Sequence, residues 1–95
     1  VAHTLTGRYV QGGKMLTFEN DREDEKLDIH ADIEGLKYLR TVIDSLIEQS
    51  EKNGNEHIHL MSEDWGGPSS GLSNEKQHPN NELIHHVKIY CWDNQ

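Results

Sequence analysis

Apolar and polar residues alternate along the amino-terminal part of the chain. Residues 4–10 and 14–20 both alternate, and the Gly12-Gly13 pair between them readily takes the positive φ angles of a two-residue hairpin loop. The pattern predicts a hairpin in which Gly7 lies opposite Phe18 and leaves room for its ring. One surface of this hairpin carries Leu5, Tyr9, Leu16 and Phe18, and the other carries Thr6, Arg8, Thr17 and Glu19.

The next two segments predict a strand followed by a long helix. Residues 26–32 alternate again, and from Ile33 the apolar residues recur at intervals of three and four, which is typical of a helix of about 20 residues. Asp32 stands at the N-cap position, and Gly54 supplies the left-handed residue that often ends helices. The stripe expected to face the core consists of Leu36, Leu39, Val42, Ile43, Leu46 and Ile47.

The carboxyl-terminal part predicts two more strands around a long loop. Residues 57–61 alternate, and residues 83–92 predict one strand of about ten residues, interior to the sheet because of Ile84, Val87, Ile89 and Tyr90. Between them, residues 62–81 are rich in Gly, Pro, Ser and Asn, and loops of this length usually have a function.

The order β-β-β-α-β-β predicts an α+β fold. We expect a two-layer sandwich in which a mainly antiparallel sheet of about five strands packs on one long helix, with the positions of the last two strands left open. The 95 residues suit a single domain spanning residues 1–95.

The composition narrows the class of partner. Acidic residues outnumber basic ones 17 to 9, for a net charge of −8 with histidine neutral. Such a surface repels phosphate groups, which disfavours nucleic acid and acidic membranes and favours a basic protein. No apolar stretch approaches the roughly 20 residues that span a bilayer, and the lone Cys91 cannot form an internal disulfide. We therefore expect a soluble cytoplasmic domain.

The acidic residues are concentrated in one segment. Residues 19–34 hold eight acids and two bases, a net charge of −6. One interpretation is a solvated turn that keeps the protein soluble; the other is an acidic patch that steers a basic partner. Under the second interpretation the contact residues are Asp21, Glu23, Asp24 and Glu25.

A tryptophan marks the start of the long loop. Trp65 follows Glu63 and Asp64 and precedes a glycine pair. Because tryptophan is enriched at the centres of interfaces, Trp65 is a candidate anchor, with Glu63 and Asp64 as partners for arginine or lysine of another protein. The alternative is that Trp65 folds back as a lid over the helix–sheet core.

The seven histidines raise the question of a metal. His57 and His59 point the same way on a strand and can chelate zinc, whereas His85 and His86 point to opposite faces of a regular strand. A closed structural site needs four ligands, so ordinary surface histidines are favoured and a metal- or small-molecule-binding domain stays an alternative. Motifs for nucleotide binding or a nucleophile elbow do not occur, so we expect neither an enzyme nor a cofactor.

Taken together, several short motifs resemble the immunity protein 32 family, over roughly residues 27–92. They are Ala31-Asp32-x-Glu34-Gly35-Leu36-x-x-Leu39, His57-x-His59-Leu60, Gly66-Gly67, Leu72-Ser73 and His86-Val87-Lys88-Ile89-Tyr90. Members of that family are small cytoplasmic proteins encoded beside bacterial polymorphic or contact-dependent toxins. The resemblance implies an α+β protein that binds its cognate toxin domain and blocks it without chemistry of its own.

The charge suggests what kind of toxin this is. Toxins that cut nucleic acids are cationic where they hold their substrate, and an acidic inhibitor can cover that surface. We therefore expect a basic nuclease toxin of a contact-dependent growth inhibition or related system as the partner. Two other hypotheses compete: a binding domain built on His57, His59 and the long loop, and a housekeeping interaction module with no toxin partner.

Overall fold

A computed structural model of the protein describes residues 14–68 and 70–93. One helix packs against antiparallel strands, which confirms the predicted α+β class. The strand predicted over residues 4–10 lies outside the described residues. In chain order the elements are β1 (Leu16–Asp21), β2 (Lys26–Ala31), α1 (Ile33–Asn53), β3 (Glu56–Met61), a 3-10 helix (Glu63–Trp65), β4 (Glu82–Ile84) and β5 (His86–Cys91).

The strands form two small sheets. In the three-stranded sheet β1 is central, with β2 on one edge and β4 on the other. Phe18 lies opposite Ile29 of β2 and opposite Ile84 of β4. The partner predicted for Phe18, Gly7, lies outside the described residues.

The predicted strand over residues 83–92 is in fact two strands. It breaks at His85, so that β4 pairs with β1 and β5 pairs with β3 in a separate two-stranded sheet. Ser62 stabilises the break, because its backbone N–H donates to the His85 carbonyl at 2.9 Å and its hydroxyl lies 2.7 Å from His85 Nδ1. The prediction that this strand lies in the interior of the sheet is also wrong, because β4 and β5 are edge strands among the described residues. Val87 and Ile89 face the core, whereas Tyr90 is exposed.

The helix begins and ends where the sequence predicts. The Asp32 carboxylate accepts hydrogen bonds from Gly35 N–H at 2.7 Å and from Met15 N–H at 3.1 Å, which ties the helix to the residue before β1. Gly54, with φ of 86°, ends the helix by donating to the Ser50 carbonyl. Gly35 is required at its position, because a Cβ there collides with the Met15 carbonyl oxygen.

The helix buries only part of its apolar stripe. Leu46 is buried and Leu39 and Val42 are half-buried, but Leu36 is 54% exposed. Ile43 and Ile47 are exposed as well, so the prediction that the whole stripe faces the core is wrong. The reason is that the helix packs mainly on β3, and a two-stranded sheet is too narrow to cover a stripe this wide.

The long loop contributes to the core. Leu72 is 3% exposed and joins Leu16, Phe18 and Leu60 in the buried cluster. Its backbone N–H donates to the Met61 carbonyl at 3.0 Å, and Ser73 N–H donates to the Leu16 carbonyl at 2.9 Å. The loop therefore bridges the two sheets.

Candidate functional site

The acidic turn joins β1 to β2 and is held in shape by one of its own carboxylates. Asp21 accepts from the Asp24 backbone N–H at 3.2 Å, and Lys26 Nζ lies 3.1 Å from Asp21 Oδ2. These two contacts lower the pKa of Asp21, the Asp24 hydrogen bond having the larger effect. Glu23, Asp24 and Glu25 are exposed, so the turn presents three carboxylates to solvent.

Glu19, one of the eight acids of this segment, is not part of the acidic surface. Its side chain is fully buried, and its Oε2 accepts from the Thr17 hydroxyl at 2.6 Å and from Gln77 N–H at 2.7 Å. Its Oε1 accepts from His78 N–H at 3.2 Å and from Asn81 Nδ2 at 3.1 Å. The Glu19 carboxylate of β1 therefore holds the second half of the long loop in place through hydrogen bonds.

The hydrogen bonds to Glu19 decide its charge state. Burial by itself raises the pKa of a carboxyl group, but donors from Thr17, Gln77, His78 and Asn81 outweigh it, and the pKa of Glu19 lies below its ordinary value. The carboxylate is therefore ionised at neutral pH. Nothing in the sequence distinguishes Glu19 from the other acidic residues of this segment, so this role could not be predicted.

Trp65 lies on the surface, within the 3-10 helix that follows β3. Its ring is 59% exposed and stacks in parallel on the His85 ring with 5.4 Å between centroids. Gly66 ends this helix in the left-handed conformation, and Asp64 N–H donates to Asn74 Oδ1 at 3.1 Å. The interpretation of Trp65 as a lid over the core is therefore wrong, and Glu63 and Asp64 are exposed beside it.

The two candidate elements lie at opposite ends of β1. The acidic turn follows Asp21, whereas the 3-10 helix is tied through Asn74 to the part of the loop where Ser73 pairs with Leu16. The two ends, Leu16 and Asp21, are five residue steps apart along the strand, which is roughly 17 Å at about 3.4 Å per step. The loop held by Glu19 runs between them, so the structure does not merge the turn and Trp65 into one site.

The histidines form a surface cluster on the two-stranded sheet. His57 and His59 point the same way, as predicted, with 5.1 Å between ring centroids. His59 Nδ1 lies 2.8 Å from His86 Nε2, a distance at which one ring donates a hydrogen bond to the other. Within residues 14–68 and 70–93, no group of three or more histidine, cysteine, aspartate or glutamate side chains is arranged to hold a metal ion.

An open cavity borders the loop on the side of β4. Its volume is about 370 Å³, and its lining consists of Asn74, Glu75, Lys76, Leu83 and His85. A cavity of this size admits a side chain of a partner as readily as a small ligand. In the part of the chain that the structure describes, no helix has the length and apolar character needed to cross a membrane.

Comparison with known proteins gives one match. The family model described as Immunity protein 32 matches residues 26–87, more than half of the chain, from β2 to the first residues of β5. Neither the curated proteins nor the solved structures contain a significant match. The matched segment includes the helix, its Asp32 cap, β3 and the whole loop that carries Trp65. The chain therefore belongs to the immunity protein 32 family.

Proposed function

We propose that this protein binds the toxin domain encoded beside it and neutralises it by covering its surface in the cytoplasm. It does so by protein–protein contact, without catalysis and without a cofactor. The toxin belongs to a contact-dependent growth inhibition or related polymorphic toxin system. Family membership supports an immunity role in general, and the remaining statements are specific to this chain.

The observation that carries the proposal is the display of exposed acidic and aromatic side chains on backbone segments that are held by hydrogen bonds. Glu23, Asp24 and Glu25 project from a turn braced by Asp21, and Trp65 projects from a helix braced by Asn74. A backbone that is already ordered loses less conformational entropy on binding, and this loss is one of the costs of forming an interface. Such a surface suits a stoichiometric inhibitor.

Charge supports a basic nuclease as the toxin. The net charge of −8 attracts a cationic enzyme over long range and accelerates their association at low salt. We assign this steering to the acidic turn, Asp21 included, and the slow dissociation to Trp65 with Glu63 and Asp64. Nucleic acid and membranes are not partners under this proposal, because the same charge repels them.

The first experiment tests the function itself. The toxin domain encoded by the neighbouring gene is expressed in a susceptible bacterium with and without this protein, and growth is measured. Growth restored by this protein supports the proposal, and continued killing refutes it. The purified pair is expected to form a one-to-one complex.

A second experiment tests the acidic turn with a matched control. The triple variant Glu23→Gln/Asp24→Asn/Glu25→Gln removes three exposed charges and leaves the structural carboxylate of Asp21 in place. The control, Asp44→Asn/Glu48→Gln/Glu51→Gln, removes three exposed charges from the helix. We expect the turn variant to associate about tenfold more slowly at low salt, with a flatter salt dependence, and the control to change much less.

The outcomes of that comparison are distinct. Equal slowing in both variants means that net charge, and not the turn, steers the toxin. An unchanged rate in the turn variant refutes the assignment of Glu23, Asp24 and Glu25.

A further inference from the structure

A row of five rings crosses the outer face of the sheet formed by β3 and β5. Trp92 stacks on Tyr90 with 5.8 Å between centroids and 3° between planes, and Tyr90 lies 5.7 Å from His57. His57 contacts His59 at 5.1 Å, and His59 stacks on His86 at 5.0 Å. We call Trp92, Tyr90, His57, His59 and His86 the ring row.

The core does not require these rings. Strand alternation turns Leu60, Val87 and Ile89 toward the helix, and it turns the ring row outward. Tyr90 is 51% exposed and Trp92 is 65% exposed. Tyrosine and tryptophan at exposed positions that contribute nothing to the core are the side chains most enriched at binding hot spots.

The rings are held in place before any partner arrives. Each ring in the row contacts the next, and the hydrogen bond between His59 and His86 closes one end. Side chains that are ordered in the free protein lose little rotamer entropy when they are covered. The ring row is therefore suited to tight binding in a way that isolated exposed aromatic residues are not.

The π faces of the row can attract a cation, although the same face also carries the basic residue Lys88. None of the residues that β3 and β5 place on this face is acidic. The pKa of His59 is lowered, first by desolvation and then by the nearby His86, His57 and Lys88. Aromatic rings offer π faces, on which guanidinium groups stack. Lys88 of the chain itself shows the interaction, with Nζ 4.8 Å from the Tyr90 ring centroid.

Acidic residues flank both ends of the row. Glu63 and Asp64 follow β3 after Ser62, at the end of the sheet where Met61 lies opposite His86, and Asp93 follows Trp92 at the other end. This arrangement of π faces between carboxylates is complementary to a basic surface rich in arginine. A single-stranded nucleic acid also stacks on exposed rings, but a chain with a net charge of −8 repels its phosphates.

We infer that the ring row is the principal docking surface for the toxin, and that it receives a basic patch whose arginine side chains stack on Tyr90 and Trp92. This inference rests on the proposed function and deepens it. The acidic turn then accelerates the encounter from a distance, while the ring row, together with Trp65, slows dissociation of the complex.

The test compares ring removal with removal of an exposed apolar side chain elsewhere. Tyr90→Ala/Trp92→Ala is expected to weaken binding of the purified toxin domain by about 30-fold or more, mainly through faster dissociation. Ile33→Ala, at the exposed start of the helix, is the control and should bind like wild type. Tyr90→Phe keeps the ring and should also bind like wild type. Thermal unfolding of each variant verifies that the fold is intact.

A pair of charge variants tests the sign of the partner. Tyr90→Lys and Tyr90→Glu both remove the ring, but one adds a cation and the other an anion. Against a basic patch, the lysine variant should bind at least tenfold more weakly than the glutamate variant. The reverse order would overturn the inference, because it would show that the toxin presents an acidic surface here.

The two tryptophans allow the contact itself to be observed. In Trp65→Phe the remaining tryptophan is Trp92, and its fluorescence emission should shift to the blue when the toxin is added. If the complex forms with no change in Trp92 emission, the ring row is not the docking surface. The same conclusion follows if Tyr90→Ala/Trp92→Ala binds with full affinity. Either result leaves the proposed function standing. Absence of any complex with wild-type protein refutes the proposed function instead. Binding of a 20-nucleotide oligothymidine to the free protein, lost in Tyr90→Ala/Trp92→Ala, would also overturn the inference.

Discussion

Replacing Glu19 with glutamine should destabilise the protein strongly, although the two side chains have nearly the same shape. Glu19 accepts hydrogen bonds from two backbone donors of the loop, Gln77 N–H and His78 N–H, which bind different oxygens of the carboxylate. In the Glu19→Gln variant one of these oxygens becomes an NH₂ group. Whichever way the amide turns, one of the two backbone donors then faces another donor.

The cost follows from the number of bonds affected. A buried backbone N–H without an acceptor costs about 1–3 kcal/mol, and the bonds that remain lose the strengthening given by the charge. Thr17 can adjust because its hydroxyl can rotate, and a neutral side chain is easier to bury. Asn81 cannot flip its amide without losing the hydrogen bond that its Nδ2 also donates to Asp28. We therefore expect a loss of about 2–3 kcal/mol in the free energy of unfolding, which corresponds to about 10–20 °C in Tm for a domain of this size.

The assay is chemical denaturation at neutral pH, with Glu23→Gln as the matched control. Glu23 carries the same charge in the same acidic segment but is exposed, so its substitution should change stability by less than about 0.5 kcal/mol. Equal stability of Glu19→Gln and Glu23→Gln would refute the reasoning, because it would show that the buried carboxylate does not hold the loop.

The dependence on pH gives an independent measurement of the same carboxylate. Its pKa is lower in the folded protein than its ordinary value of 4.5, so the ionised group stabilises the fold above pH 4.5, and this contribution is lost as the pH falls through the folded-state pKa. The stability difference between wild type and Glu19→Gln should therefore be largest above pH 5 and should shrink below pH 4.5. A difference that stays constant down to pH 3 would contradict the assignment.

Three further substitutions test other parts of the structure. Gly35→Ala should destabilise the protein by at least about 2 kcal/mol, because the new Cβ collides with the Met15 carbonyl oxygen. If thermal unfolding shows a stabilised variant, the helix does not approach the residue before β1 this closely. Asp32→Ala should cost about 1–2 kcal/mol, since it removes the acceptor for Gly35 N–H and Met15 N–H, and Asp32→Asn should recover part of the loss in the same denaturation assay. Trp65→Ala should leave Tm within about 2 °C of wild type because the ring is outside the core, and it should accelerate dissociation of the toxin; a large loss of Tm would place the ring in the core after all.

The elements that the sequence predicts correctly are those determined by neighbouring residues. The helix from Ile33 to Asn53 follows from its own periodicity. Its ends follow from Asp32 and Gly54, each of which makes a hydrogen bond with a helix residue about one turn away. The same holds for β2, whose alternation is local, and for the outward direction of His57 and His59 on β3. Local chemistry is sufficient for these features, so no knowledge of the rest of the chain is needed.

The features that the sequence does not reveal depend on partners far along the chain. Glu19 meets Gln77 and Asn81, about 60 positions away, and nothing near Glu19 indicates that they will enclose it. The break at His85 depends likewise on Ser62, which holds the point where the chain leaves one sheet for the other. A run of apolar residues predicts a strand but does not tell which of two sheets each half will join.

Several of the residues that carry the family resemblance hold the scaffold together, whereas His57, His59, His86 and Tyr90 carry the resemblance on the exposed face of β3 and β5. Asp32 caps the helix, Gly35 permits its approach to β1, and Leu60 and Leu72 fill the core that joins the two sheets. Substituting any of these four should alter folding before it alters recognition. Exposed positions such as Trp92 and the acidic turn can change without disturbing that scaffold, since they make few of its contacts. We therefore expect substitutions of Trp92 or of the exposed carboxylates Glu23, Asp24 and Glu25 to change toxin binding more than they change the free energy of unfolding.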